Sequence, residues 1–343
     1  MYCDRRLGGI EKWYFESPPD AALITPPEIR KSIAFVGYAD ISGRSFLAGS
    51  AFLAARTAAE NCPFMFWITA KHVIDAIRDK GCDRVRLRLN FSDGLARWID
   101  TPLKDWLPHP SDKSVDVCVY PIRIETLTGT DHLGFQLHGN IIASEALIKK
   151  LNIGPGDEVF IAGLFVPHHG KKKNIPIVRI GNIAAMPEEK VDTRRFGPID
   201  AYLIEARSIR GLSGSPVFVH MGFIRNLEGQ TKLSPQDYGN FLFLGIMHGH
   251  SDSKLTEADE VAEDDGTGGQ INVGIGIVVP VSKILEVLNQ DAVKELEAKS
   301  KPQVHVEGLP KEDALDTDDL FTREDFESAL KKVSNEDSAF ATC

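Results

Sequence analysis

Ser213 stands between Gly211 and Gly214 in R-G-L-S-G-S-P-V-F, residues Arg210 to Phe218. Glycine is favoured where the backbone turns to positive φ or passes close to another group. A serine held between glycines in a tight turn therefore presents its hydroxyl beside bare backbone N–H groups. Acyl transfer needs that combination: a nucleophile and donors for a developing oxyanion. A glycine–serine turn leading into a strand is common, so the motif decides nothing alone. Two other residues answer it. His72, in W-I-T-A-K-H-V-I, falls where an apolar strand gives way to a short helix, behind the small pair Thr69–Ala70. Asp116, in S-V-D-V-C-V-Y, is a carboxylate inside an apolar strand, which is costly to bury without a partner. A histidine N–H would supply one.

The elements that must carry these residues are short strands. Residues 1–30 hold Pro18, Pro19, Pro26 and Pro27 and little periodicity, and are expected to form an N-terminal arm. From Ile33 onward, I-A-F-V-G-Y, S-F-L-A-G-S-A-F-L-A and P-F-M-F-W-I-T-A read as strands. Val73, Ile74 and Ile77 mark a short helix; V-R-L-R-L-N-F, A-R-W-I-D and V-D-V-C-V-Y-P-I complete about six strands, enough to close a small barrel. A connector with a helix at Ser144–Leu151 leads to a second set of about six, ending in F-L-F-L-G-I-M-H-G and N-V-G-I-G-I-V-V-P-V. A C-terminal helix follows, with Ser282 as its expected N-cap. The expected division is an arm over 1–30, a first β-barrel over 31–135, a second with the C-terminal helix over 136–296, and an acidic tail over 297–343.

Composition narrows the function classes. The chain has 343 residues, 43% hydrophobic and 26% charged, the profile of a globular protein. Its net charge of −10 disfavours a nucleic-acid partner. From Lys301 to Cys343 there are 11 acidic and 5 basic residues, so the tail carries −6 of that total. Thr322 and Asp325 resemble a capping box ahead of Phe326, Leu330 and Val333, which share a helical face and suggest a docking helix for a protein partner. The five cysteines are irregularly spaced, with no C-x-x-C pair, so neither a metal site nor a disulfide framework is expected. No apolar run reaches membrane-spanning length and no signal-like h-region follows the N-terminus. A cytoplasmic protein without cofactor is the expectation.

Taken together, T-A-K-H-V-I, V-D-V-C-V and G-L-S-G-S-P resemble the three motifs of chymotrypsin-like serine peptidases, in that family's order and 44 and 97 residues apart. L-G-I-M-H-G-H and G-I-G-I-V-V-P-V resemble its later strands, the second in the bacterial high-temperature-requirement manner. The resemblance covers about residues 33–290. It implies an all-β fold of two six-stranded antiparallel barrels and a His72–Asp116–Ser213 triad that hydrolyses polypeptides. The oxyanion hole would come from the N–H groups of Gly211 and Ser213. Arg207 and Ser208, with Met247, His248 and Gly249 as the wall, would shape the primary pocket. A cation and a histidine there favour an acidic or glutamine side chain, as in the similar glutamyl endopeptidases. Two residues depart from the pattern. Leu212 replaces an aspartate that anchors the turn in secreted members, so activation by zymogen cleavage is not expected, and the oxyanion turn either stands ready or forms on binding. Lys71 replaces a small residue beside the histidine. The competing expectation is a catalytically silent module that binds peptides or senses a partner.

Overall fold

The computed structural model describes residues 27–57, 63–206, 211–222, 224–227, 229–234, 240–254 and 270–300. The chain divides into two compact units, Met1–Lys301 and Pro302–Cys343. The second unit, with the capping-box segment, and the N-terminal arm to residue 26 lie outside the described residues.

After a short helix α1 (Pro27–Lys31), the first lobe contains β1 (Ile33–Ala39), β2 (Ser45–Thr57), β3 (Pro63–Thr69), helix α2 (Lys71–Arg78), β4 (Arg84–Asn90), β5 (Ala96–Pro102), β6 (Leu107–Pro108), β7 (Cys118–Ile122) and β8 (Phe135–Gln136). They form one eight-stranded sheet in the order β5-β4-β1-β2-β3-β7-β6, with β8 pairing parallel to β2. Among the described residues no ladder joins β5 to β6, so this lobe is a rolled half-barrel sheet. The edge strands β5 and β6 are successive segments joined by Leu103–Trp106. Pro102 and Pro108 flank this break, and proline cannot donate to a ladder. Asp116 also differs from expectation: it precedes β7, which begins at Cys118.

The second lobe follows helix α3 (Glu145–Lys150), where Ser144 Oγ accepts the Leu147 N–H at 3.3 Å as an N-cap. It contains β9 (Glu158–Gly163), β10 (Ile177–Ala185), β11 (Val191–Thr193), β12 (Gly197–Ile199), β13 (Tyr202–Glu205), β14 (Pro216–His220), β15 (Ile224–Leu227), β16 (Gln230–Leu233), β17 (Phe241–Lys254) and β18 (Gln270–Pro280). Six of these close a barrel, β10-β13-β18-β17-β14-β9, and β11–β12 and β15–β16 are separate hairpins. The expected single C-terminal helix is two, α4 (Val281–Leu288) and α5 (Asp291–Ser300). The N-cap is Pro280, and Ser282 lies inside α4. The break is fixed from β2: Arg56 donates to the Leu288 carbonyl at 3.0 Å, to Asn289 Oδ1 at 2.7 Å and to Glu297. A guanidinium on the last carbonyl of α4 suits that helix end, as a cation at a helix C-terminus should.

Alternate residues of the central strands feed different cores. Phe64, Phe66 and Ile68 of β3 join one cluster, and Met65 and Trp67 join another. The shared cluster takes Phe35, Phe52 and Phe135 from the first lobe and Phe160, Phe218 and Phe243 from the second. The other two clusters lie within single lobes. The lobes therefore meet across edge-on phenylalanines, among them Phe52–Phe243 at 5.5 Å, Phe135–Phe243 at 5.1 Å and Phe135–Phe218 at 5.3 Å. Such pairs contribute about 0.5–1.5 kcal/mol each beyond their burial. This accounts for the near-continuous apolar character of β3: both its faces are covered.

A buried histidine in this frame makes stability pH-dependent. His132 Nε2 accepts the Asn90 N–H at 2.8 Å and Nδ1 donates to the Lys31 carbonyl at 2.7 Å, which fixes a neutral ring. Burial pushes its pKa down to about 4. The unfolded chain takes up this proton near pH 6.5 and the folded one only near 4, so stability falls as pH drops across that interval. Denaturant titrations at pH 7 and pH 4 are expected to differ by about 3 kcal/mol from this group. A His132→Gln variant should start less stable and lack that component; an identical pH profile in both proteins would remove the assignment.

Candidate active site

His72 is the second residue of α2, whose apolar residues Val73, Ile74 and Ile77 are buried against the first lobe. The helix thus presents its first turn at the lobe edge. Asp116 is fully buried, with 0% exposure. Its Oδ1 accepts the backbone N–H of His72 at 2.8 Å and its Oδ2 lies 2.7 Å from His72 Nδ1. The carboxylate thus grips both the backbone and the ring of one residue. Burial opposes its charge, but the adjacent His72 imidazole and the hydrogen bonds from His248 and His72 outweigh that penalty. Its carboxyl is held well below the usual carboxylate range. Cys118, two residues on, is buried and its thiol is pushed up by burial, which suits packing rather than nucleophilic chemistry.

The serine turn docks onto β2 of the first lobe through Ser50. The Ser50 N–H donates to the Ser213 carbonyl at 2.9 Å and Ser50 Oγ donates to the Gly211 carbonyl at 2.8 Å. Ser50 Oγ also accepts the Leu164 N–H at 2.9 Å, and Thr69 Oγ1 donates to the Ser50 carbonyl at 2.7 Å. Gly211 and Gly214 have φ of +107° and +85°, so the backbone turns where only glycine turns freely. Leu212 is fully buried in the barrel core with Val217 and Met247. An apolar anchor thus stands where the resemblance implies an aspartate. Ser50 carries no sequence signal beyond a small pair, Gly49–Ser50, inside an apolar strand.

Ser213 is half-buried and its Oγ donates to the His248 carbonyl at 3.1 Å. Among the described residues no hydrogen bond joins it to His72. His248 itself is turned toward the carboxylate: its Nδ1 lies 2.5 Å from Asp116 Oδ2, and its ring meets that of His72 edge-on at 5.3 Å. A β-bulge causes this. Met247 pairs with Val278 and Gly249 with Ile277, leaving His248 as the extra residue. Bulges re-aim side chains in this way.

The other residues expected at the pocket divide. Met247 is a core residue with no exposure, because its side chain points into the barrel; its backbone exchanges hydrogen bonds with Gly214 and Ser215 at 2.8 Å. Gly249 faces the serine: a Cβ there would stand 4.0 Å from Ser213 Oγ. Arg207 and Ser208 lie outside the described residues. The imidazole expected to read an acidic side chain is thus engaged with Asp116. The β11–β12 hairpin, which carried no signal in the sequence, brings Phe196 against the His248 ring at 5.8 Å and beneath Lys71 Nζ at 4.8 Å. Lys71 also pairs with Asp75 at 2.9 Å.

The donor atoms of His72, Asp116 and His248 lie within 4.8 Å of one another, a set that zinc accepts. Their spacing fits hydrogen bonds better. Neighbouring ligands of a tetrahedral zinc stand roughly 3.3 Å apart, whereas both Nδ1 atoms lie 2.5–2.7 Å from one oxygen.

A closed antiparallel barrel beside a rolled antiparallel sheet, followed by C-terminal helices, is the chymotrypsin-like two-barrel arrangement, and the described chain has that fold. No protein-family model matches the sequence. No curated protein matches it either. Among solved structures, Rv3671c from M. tuberculosis, in an inactive mutant form, is 15% identical with a TM-score of 0.39, covering 79% of this chain and 94% of that one. The Grass clip serine protease of the Drosophila Toll pathway is 12% identical with a TM-score of 0.42, covering 78% and 71%. The serine protease domain of the Sesbania mosaic virus polyprotein is 12% identical with a TM-score of 0.36, covering 76% and 93%. At these identities and TM-scores the likenesses do not decide what this chain does.

Proposed function

We propose that this chain is a serine endopeptidase that cleaves polypeptides through an acyl-enzyme. The observation that carries the reading is Asp116: a fully buried carboxylate that accepts both the backbone and the ring N–H of His72, beside a serine in a glycine-framed turn. Ser213 Oγ attacks the substrate carbonyl carbon while His72 Nε2 takes the hydroxyl proton. His72 returns that proton to the leaving amine, and the sequence repeats with water to free the acid. Asp116 holds the Nδ1–H tautomer and stabilises the imidazolium. The N–H groups of Gly211 and Ser213, which have no acceptor among the described residues, serve the oxyanion, each donor lowering the barrier by about 3–4 kcal/mol. The lobes over 31–135 and 136–296, a cytoplasmic setting, and a tail helix that docks on a protein partner belong to the same proposal. Among the described residues no helix is long and apolar enough to cross a membrane.

One observation favours a silent peptide-binding module instead: the Ser213 hydroxyl is bonded to the His248 carbonyl rather than to His72. Labelling with a fluorophosphonate probe separates the readings. Wild-type protein is expected to label, and Ser213→Ala and His72→Ala proteins are not. Labelling that survives Ser213→Ala, or a folded wild type that never labels, would overturn the peptidase reading.

A further inference from the structure

We infer that His248 is a positioning residue of this site, sharing Asp116 with His72 through its imidazole and holding the Ser213 hydroxyl through its carbonyl. This rests on the peptidase reading for its kinetic consequence. Asp116 Oδ2 stands 2.7 Å from His72 Nδ1 and 2.5 Å from His248 Nδ1. An ionised carboxylate can only accept, so both rings carry their proton on Nδ1. The His248 ring is fixed on three sides: by the carboxylate, by the edge-on His72 ring at 5.3 Å, and by Phe196 at 5.8 Å. Its backbone is fixed as the bulge residue of β17.

The consequence is geometric. With one N–H on Oδ1 and two on Oδ2, Asp116 has no freedom to rotate, and its position sets that of the His72 ring. Loss of the His248 donor leaves space beside Oδ2 and lets the carboxylate and His72 drift together. Misplacement on the 1 Å scale costs about 100-fold in rate. The Ser213–carbonyl bond is made by backbone and survives substitution of the side chain, so the imidazole's effect can be read separately.

The test uses the full chain and the variants His248→Ala and His248→Asn, the second retaining a short N–H donor. In 15N-histidine NMR, wild-type protein should show two far-downfield Nδ1–H protons assigned to this site. Each His248 variant should show one. For peptide hydrolysis, His248→Ala should lower kcat about 10- to 100-fold with KM little changed, and His248→Asn should recover most of it. A single downfield proton in wild type would overturn the sharing. A fall confined to KM would make His248 a pocket residue instead, and unchanged kcat would end the positioning role. Should His248→Ala fail to fold, the wild-type spectrum and His248→Asn decide alone. Should the wild type prove inactive, two downfield protons would still establish the shared carboxylate, so the two failures are distinguishable.

Discussion

Replacing Asp116 by asparagine is expected to lower kcat/KM for peptide hydrolysis by about 10,000-fold. Charge is the first reason: in the proposed mechanism, asparagine cannot stabilise the imidazolium that would form as His72 takes the serine proton. Acceptor count is the second. Asp116 takes the His72 backbone N–H on Oδ1 and two imidazole Nδ1–H groups on Oδ2. Asparagine has one oxygen. If that oxygen faces the imidazoles, the amide NH2 opposes the His72 backbone N–H. If it faces the backbone, the NH2 opposes both rings, and His72 is driven to the tautomer that leaves a proton pointing at the serine. Either flip mispairs a buried donor, at about 1–3 kcal/mol. Pre-steady-state labelling rates beside circular dichroism check the outcome. A near-native rate in a folded Asp116→Asn protein would mean that the pairing with His72 does not serve catalysis.

Gly214→Ala is expected to have a large effect on folding, a loss of about 3 kcal/mol or more. The position has φ of +85°, where an alanine is strained by roughly 1–3 kcal/mol. Its Cβ would also collide with the Ser50 carbonyl and with Thr69 Oγ1, and stand 3.1 Å from the Ala70 nitrogen. Two of these are backbone atoms of β2 and of the residue before α2, so no flexible side chain can yield. Relief requires the serine turn to back away from the first lobe, breaking the Ser50 bonds to Ser213 and Gly211. Gly43→Ala is the control: φ is +83° there, but nothing lies within 4 Å of an added Cβ. Thermal denaturation should show a much larger fall in Tm for Gly214→Ala than for Gly43→Ala. Equal falls would mean that backbone strain alone matters and that the turn is not wedged between the lobes.

The main strands of both lobes were legible because they are apolar or alternating runs bounded by turn residues, whereas the more polar hairpin strands β11, β15 and β16 were not, and the helical face Val73–Ile74–Ile77 was visible from spacing alone. Two features were legible in type but displaced in detail. Asp116 stands before its strand rather than in it, and the single C-terminal helix is interrupted where Arg56, more than 230 residues earlier, takes the Leu288 carbonyl. Neither follows from local preference, because the deciding partner is remote in sequence. Ser50 and Phe196 were missed for the same reason. A serine in an apolar strand and a phenylalanine in a hairpin acquire meaning only from what the other lobe or the adjacent helix puts against them.

By itself, the sequence determined the chemical vocabulary of this protein. Histidine, aspartate and a glycine-framed serine appear in order, on elements whose periodicity and turn residues are local properties of the chain. Tertiary structure alone decided how they are connected. It set Asp116 between two imidazoles rather than one, anchored the serine turn by a buried leucine and a serine of the other lobe, and aimed His248 at the carboxylate through a bulge. The physical reason is that a hydrogen bond's partner, and the burial that strengthens it, depend on distance in space. The one-residue register shift in β17 that turns the His248 ring toward Asp116 is fixed by its pairing with β18, not by the residues on either side of it.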